Sequence, residues 1–279
     1  MTMNEFPLSH AFAQHVALVA LILSCSVETA AEAISVDWSE HRAIADLFSD
    51  AGVVGTFAVC RQPDGLVTGH HAQRALKRFP PASTFKVPHT LIALETGAVS
   101  GPDEKFEWDG VPRTFRSWER DMSLVDALQA SNVPVYRDVA GRIGRERMQA
   151  YLETFGYGSR EVGESMTDFW LVGPLEISAV EQCRFLLRLA AGELSVADEH
   201  LQTLRTMLAT DVGNGVTLYA KTGWATAPDP GPGWWAGWVE GPFGRAGFAL
   251  NIDMPEPAYA RLRSELGSEA LHLLGLLPH

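Results

Sequence analysis

"PPASTFKVPHTLIAL", residues 80–94, marks the point where strand-like periodicity gives way to helix-like periodicity. Upstream, "GVVGTFAVC" (52–60) and "RQPDGLVTGH" (61–70) read as two strands with a Pro-Asp-Gly turn between them. Downstream to about Leu208, segments such as "MSLVDALQAS", "RERMQAYLETF" and "SAVEQCRFLLRLAAGEL" carry apolar residues at three- and four-residue spacing, the signature of packed helices. "NGVTLYAKTG", "GWWAGWVEG" and "RAGFALNIDM" are then strand-like, and "RLRSELGSEALHLLGLL" closes as a helix. Strands at both ends with helices between them predict an α+β fold, one sheet built from the two ends with an all-helical subdomain inserted. The natural cleft is the seam between these lobes.

The quoted stretch puts Ser83 and Lys86 three positions apart, hence on one helix face. Pro80 and Pro81 support a helix start there, because proline is tolerated only up to the first turn. Burial among Phe85, Val87 and Leu91 penalises the ammonium form of Lys86, and a neutral amine beside a serine can take its proton. About one S-x-x-K is expected by chance in a chain of this composition, so the pair needs company.

The 279 residues, 46% apolar and 20% charged, describe an ordinary globular protein. A formal charge of -12 argues against a nucleic-acid partner. "VALVALIL" (16–23) followed by "ETAAEA" has the layout of an export signal with cleavage after Ala33. Its removal takes Glu5, Glu28 and Glu32, leaving 22 basic against 31 acidic residues, a mature charge of -9. No second hydrophobic span follows, so residues 34–279 are expected to form one soluble periplasmic domain. Its sheet lobe covers about 34–82 and 214–279, its helical lobe about 83–213. A lipid anchor at Cys25 is the lesser alternative. Cys60 and Cys183 fall in a strand-like and a helix-like run and read as two buried thiols, with a disulfide as the alternative. No Cys/His spacing suggests a zinc site.

The company is found downstream: S-N-V at Ser131, Y-G-S at Tyr157 and K-T-G at Lys221 follow S-T-F-K in a fixed order. K-T-G alone arises by chance in roughly one such chain in twenty, so the series is specific. With "FWL" (169–171), "WWAGWVE" (234–240) and "NIDMP" (251–255), the chain resembles the class D serine β-lactamases, or oxacillinases, from about Gly52 to Pro278. The resemblance implies an antiparallel sheet flanked by helices, and hydrolysis of penicillin- and oxacillin-type β-lactams through an acyl-serine, giving antibiotic resistance.

It further implies Ser83 as nucleophile, Lys86 carboxylated by CO2 or bicarbonate to N6-carboxylysine as general base, and Trp170 donating its indole N–H to that carbamate. Ser131 would shuttle a proton to the leaving nitrogen, and Lys221, Thr222 and Arg263 would meet the substrate carboxylate, with Arg261 as the fallback. Gly223 allows close backbone approach, the N–H groups of Ser83 and Trp224 form the oxyanion hole, and Val133 and Leu171 wall the carbamate. Tyr157 joins the substrate-binding set. No metal or organic cofactor is implied, the partner is a small-molecule β-lactam, and a homodimer is left open. Two departures stand out. Ser159 replaces the family asparagine, and the loop "WATAPDPGPG" after K-T-G carries no basic residue, so carbapenem hydrolysis is not implied. The motif order is shared with β-lactam sensor domains and penicillin-binding transpeptidases. Sensors are joined to several membrane spans, transpeptidases lack the tryptophan support, and no G-x-S-x-G elbow of a serine esterase surrounds Ser83.

Overall fold

Strands from the two ends of the chain meet in one sheet, and the order of elements shows how. The structure is a computed structural model that describes residues 36–61 and 65–278. The expected export signal over 1–33, with Cys25, lies outside these residues. Trp38–Glu40 (β1) and Arg42–Asp50 (α1) precede the hairpin Gly55–Arg61 (β2) and Val67–His70 (β3). Ala72–Leu76 (α2) and a short 3₁₀ turn at Ala82–Phe85 lead into Lys86–Glu95 (α3). A two-stranded ribbon, Lys105–Phe106 (β4) and Met122–Ser123 (β5), is followed by Leu124–Gln129 (α4), Val133–Ile143 (α5), Arg145–Phe155 (α6), Ala179–Ala191 (α7) and Asp198–Leu208 (α8). Ala209–Gly213 (β6), Val216–Trp224 (β7), Gly231–Gly241 (β8), Gly244–Met254 (β9) and Leu262–Leu273 (α9) complete the chain.

The sheet runs β1-β3-β2-β9-β8-β7-β6. Every neighbouring pair is antiparallel except β1 and β3, which pair in parallel from Trp38 opposite Val67. The expected antiparallel sheet is therefore mixed at one edge, because α1 turns the chain between β1 and β2. The sheet also resumes at Ala209, where β6 pairs with β7, not at 214. Alternation along β9 sorts the core: Phe248, Leu250 and Ile252 join Phe57, Trp235 and Leu271 beneath α1 and α9, whereas Ala249 joins Phe85, Tyr136, Trp170 and Trp234 on the opposite side. Among the described residues, no helix is long and apolar enough to cross a membrane.

Helix α7, within the stretch assigned to the helical lobe, in fact lies against β2, β8 and β9. Gly247 permits the approach, since a Cβ there would sit 2.3 Å from the Cys183 carbonyl oxygen. This packing corrects the reading of two free thiols. Cys60 and Cys183 form a disulfide with their Cα atoms 5.8 Å apart, well within bridging range. Local periodicity gave each cysteine a buried face but not the apposition of those faces. A cross-link spanning 123 residues stabilises by about 3–5 kcal/mol. The double variant Cys60→Ala/Cys183→Ala is expected to lose roughly 5–15 °C in thermal melting; an unchanged Tm would show that the bridge contributes nothing.

Candidate active site

The turn at Ala82–Phe85 runs directly into α3, which stacks Ser83 and Lys86 on one face, and Lys86 Nζ donates to Ser83 Oγ at 3.0 Å. The turn is held from outside: Ala82, at φ +53°, donates its N–H to the Trp170 carbonyl at 2.7 Å, and Thr84 Oγ1 donates to Pro81 O at 2.8 Å. Ser83 retains 8% exposure, whereas Lys86 has none. Burial pushes the Lys86 amine well below the usual lysine range, with Lys221 and Arg137 adding to the effect.

Ser131 sits between α4 and α5 at φ +53°, and its Oγ accepts from Lys221 Nζ. A serine before Pro134 invites reading as a helix cap, but Asn132 caps α5 by accepting from Val135 N at 2.9 Å. The Ser131 hydroxyl is thus left to the lysine. Lys221 is 6% exposed, and burial first, then Arg263, pulls its ammonium down to about 7. Among the described residues, neither Lys86, Lys221 nor Arg263 forms an ion pair, so three basic side chains are gathered without a carboxylate partner.

Strand β7 reaches the turn through Gly223, where a Cβ would meet Pro81 O at 2.9 Å, Thr84 N at 3.1 Å and Ser83 N at 3.2 Å. Its pairing with β6 ends at Tyr219, so its last residues form a free edge. Ala225 N–H donates to Pro232 O at 3.1 Å, and ladder alternation therefore turns the Trp224 N–H away from β8 toward that edge. Alternation places Lys221 and Gly223 on the helical side and Thr222 and Trp224 on the α9 side, so Lys221 and Thr222 flank one edge from opposite faces. Arg263 approaches from α9 and donates Nη1 to Gly223 O at 2.5 Å, while Arg261 is exposed and lies 3.9 Å from Glu265. Burial lowers the Arg263 pKa.

The model of the family described as "Penicillin binding protein transpeptidase domain" matches residues 60–270. The chain is 36% identical over 233 residues to β-lactamase OXA-10 of Pseudomonas aeruginosa, covering 82% of this chain and 88% of that one. It is 34% identical over 262 residues to β-lactamase OXA-48 of Klebsiella pneumoniae, covering 94% and 98%. The crystal structure of FUS-1 (OXA-85), a class D β-lactamase from Fusobacterium nucleatum subsp. polymorphum, superimposes with a TM-score of 0.83 at 33% identity, covering 86% of this chain and all of that one. The chain belongs to the class D β-lactamases.

In this class D chain a cleft of about 480 Å³ is walled by Val133 and Arg137 of α5, by Asp168 and Leu171 ahead of α7, and by Trp224 and Trp118. Val133 and Leu171, expected to wall the carbamate, line this cleft together with Trp224, whereas Ser83, Lys86, Ser131 and Lys221 are not among its lining residues. Trp118, Arg137 and Asp168 were not expected there, because they lie in stretches without a motif. Arg137 pairs with Asp168 and donates Nε to Thr167 O at 3.3 Å, pinning the turn that carries Trp170 and Leu171 to α5. Trp170 is fully buried, stacked 6.0 Å from Phe85, and its Nε1 has no hydrogen-bond partner among the described residues.

Tyr157 is not brought to the cleft. It is 1% exposed and packs its ring 5.6 Å from Phe85 and 4.9 Å from Phe185, so it supports the nucleophile turn from behind. Gly158 at φ +54° lets that segment approach Glu176, whose carbonyl oxygen would lie 2.1 Å from a Cβ. Ser159, in place of the family asparagine, accepts from Glu176 N at 3.0 Å and donates to Pro174 O at 3.2 Å. Ser159 thus bridges the two loops. Among the described residues there is no cluster of three His, Cys, Asp or Glu side chains placed to hold a metal ion.

Proposed function

We propose that this enzyme hydrolyses the amide bond of penicillin-type β-lactams through an acyl-serine on Ser83, acting after export to the periplasm and conferring resistance. The observation that carries this reading is the setting of Lys86: an unexposed amine 3.0 Å from Ser83 Oγ and over the Tyr136 ring, in the aromatic cluster that holds Trp170, whose buried indole N–H has no acceptor among the described residues. A buried ammonium would be costly, but a neutral amine can add CO2, forming an N–C bond and releasing a proton. The site fits the product, because it offers an unused indole donor and surplus positive charge. A carboxylated Lys86 supplies a base next to Ser83 in both acylation and deacylation.

Ser83 Oγ attacks the lactam carbonyl as its proton passes to that base. The N–H groups of Ser83 and Trp224 take the charge that develops on the carbonyl oxygen, the first being unused because it opens a helical turn. As the C–N bond breaks, the Ser131 hydroxyl gives its proton to the lactam nitrogen and is resupplied from Lys221 Nζ. Water then attacks the ester carbonyl, and Ser83 regains its proton as the ring-opened acid leaves. Lys221, Thr222 and Arg263, gathered on one strand edge, suit the substrate carboxylate, with the guanidinium able to bind it by two donors.

Intact-mass measurement of the purified protein mixed with a penicillin tests the reading. A mass increase equal to the whole penicillin should appear and decay as substrate is consumed. An adduct persisting for hours would instead indicate a sensor or a penicillin-binding transpeptidase.

A further inference from the structure

His89 lies one helical turn beyond Lys86 on α3 and is unused by the mechanism above. It is fully buried, and neither ring nitrogen has a hydrogen-bond partner among the described residues. Its ring sits 5.1 Å from Tyr136 and 5.4 Å from Trp170, edge-on to both, and 5.3 Å from Phe85. Lys86 Nζ lies over the same Tyr136 ring at 4.9 Å. Among the described residues, three buried nitrogens, two of His89 and Nε1 of Trp170, therefore lack partners in the aromatic cluster whose Tyr136 ring lies under the Lys86 amine.

An imidazole in such a wall needs a reason, because an apolar ring would fill the space without stranding polar atoms. Leaving a buried donor unmade is unfavourable, and unsatisfied groups in native structures mark sites where something else binds. Burial, then the Lys86 cation, pulls the imidazole down to about 3, so it is neutral near pH 7 and carries one N–H. The bare amine at Lys86 offers little to that donor. A carboxylate formed on Nζ offers two oxygens, one more than Trp170 needs.

We propose that neutral His89 donates its N–H to an oxygen of the carboxylate formed on Lys86, sharing that anion with Trp170, and so acts as a positioning residue that raises the affinity of the site for CO2. The inference rests on the carboxylated-lysine reading above. The reaction is the addition already written: the lysine nitrogen bonds to the carbon of CO2 and one proton is released, with no redox partner. His89 contributes a hydrogen bond to the product only.

The test begins with protein stripped of CO2 by dialysis at acidic pH and then titrated with ¹³C-bicarbonate at neutral pH, following the carbamate resonance and penicillin turnover. His89→Phe, which keeps a ring but no donor, is expected to need roughly ten- to a hundred-fold more bicarbonate for half-maximal signal, the weight of a lost bond to a charged group. Activity should recover as bicarbonate is raised. His89→Asn, which keeps an N–H, should stay within about five-fold of the wild type. The native protein gives a second reading that does not depend on a variant folding: in ¹H–¹⁵N imidazole spectra the His89 N–H should move downfield as the carbamate resonance grows. Equal half-saturation in His89→Phe, or an unmoved His89 N–H beside a full carbamate signal, overturns the proposal and leaves the carbamate reading intact. A wild-type protein with no carbamate resonance overturns both.

Discussion

Ser83→Ala is expected to cut penicillin turnover by at least about ten-thousand-fold, the loss typical of removing a covalent nucleophile. It should also abolish the penicillin mass adduct. The hydroxyl sits where three features converge: the base side at Lys86, 3.0 Å away, the close approach of Gly223 on β7, and the turn held by the Trp170 carbonyl. None of these depends on the oxygen itself. The turn is fixed by backbone hydrogen bonds and by Phe85 packing, and removing one hydroxyl typically costs about 1 kcal/mol. The Tm should therefore fall by no more than a few degrees, and the carbamate resonance should survive, since Lys86 is untouched. Loss of activity with a normal melt and a normal carbamate signal would isolate the nucleophile. Turnover within about a hundred-fold of the wild type would place it elsewhere, with Ser131, also held by a lysine, the next hydroxyl to test.

Much of this arrangement was legible because it is written in local spacing. S-x-x-K needs only a helical start to bring its members together, and K-T-G needs only strand alternation and a glycine for close approach. The change from strand-rich to helix-rich stretches could be read from periodicity, and in the structure Gly223 of K-T-G lies against the turn that carries Ser83. What could not be read depends on apposition across long separations. Cys60 and Cys183 pair because α7 packs on β2, a fact of tertiary layering rather than of either local pattern. β1, with three residues, and the two-residue strands of the ribbon are too short to show alternation. Tyr157 was assigned by motif to the substrate side, but a motif fixes proximity along the chain and not which way the ring turns. His89 is the reverse case: nothing in "KVPHTL" separates a core histidine from a working one, and only the missing partners of its ring do so.

Lys86→Met is expected to lower turnover by about a thousand-fold or more, because the base at this position serves both halves of the reaction. The adduct on Ser83 should then persist instead of decaying. Methionine is nearly isosteric with the lysine stem and suits the apolar wall of Phe85, Tyr136 and Trp170. The variant also separates charge from shape. The Lys86 pKa is depressed, so the cost lies in charging the folded state: its contribution to stability is full above the unfolded lysine value of about 10.4 and is lost as pH falls toward the folded one. In CO2-free buffer the wild-type Tm should therefore decline toward acid more steeply than that of Lys86→Met. Activity follows the same sign, since a protonated amine cannot add CO2. Wild-type turnover should fall at acidic pH and recover with added bicarbonate, and an acid range insensitive to bicarbonate would count against a carbamate. The alkaline side belongs to a different lysine. Lys221, at about 7 in the free protein, gives up its proton as pH rises, weakening its hold on the substrate carboxylate and its resupply of Ser131. An anion on Lys86 in place of a neutral amine favours the charged form of Lys221 and moves that limb upward. Added bicarbonate should thus widen the pH–rate profile on both sides, a result that a purely structural Lys86 would not produce.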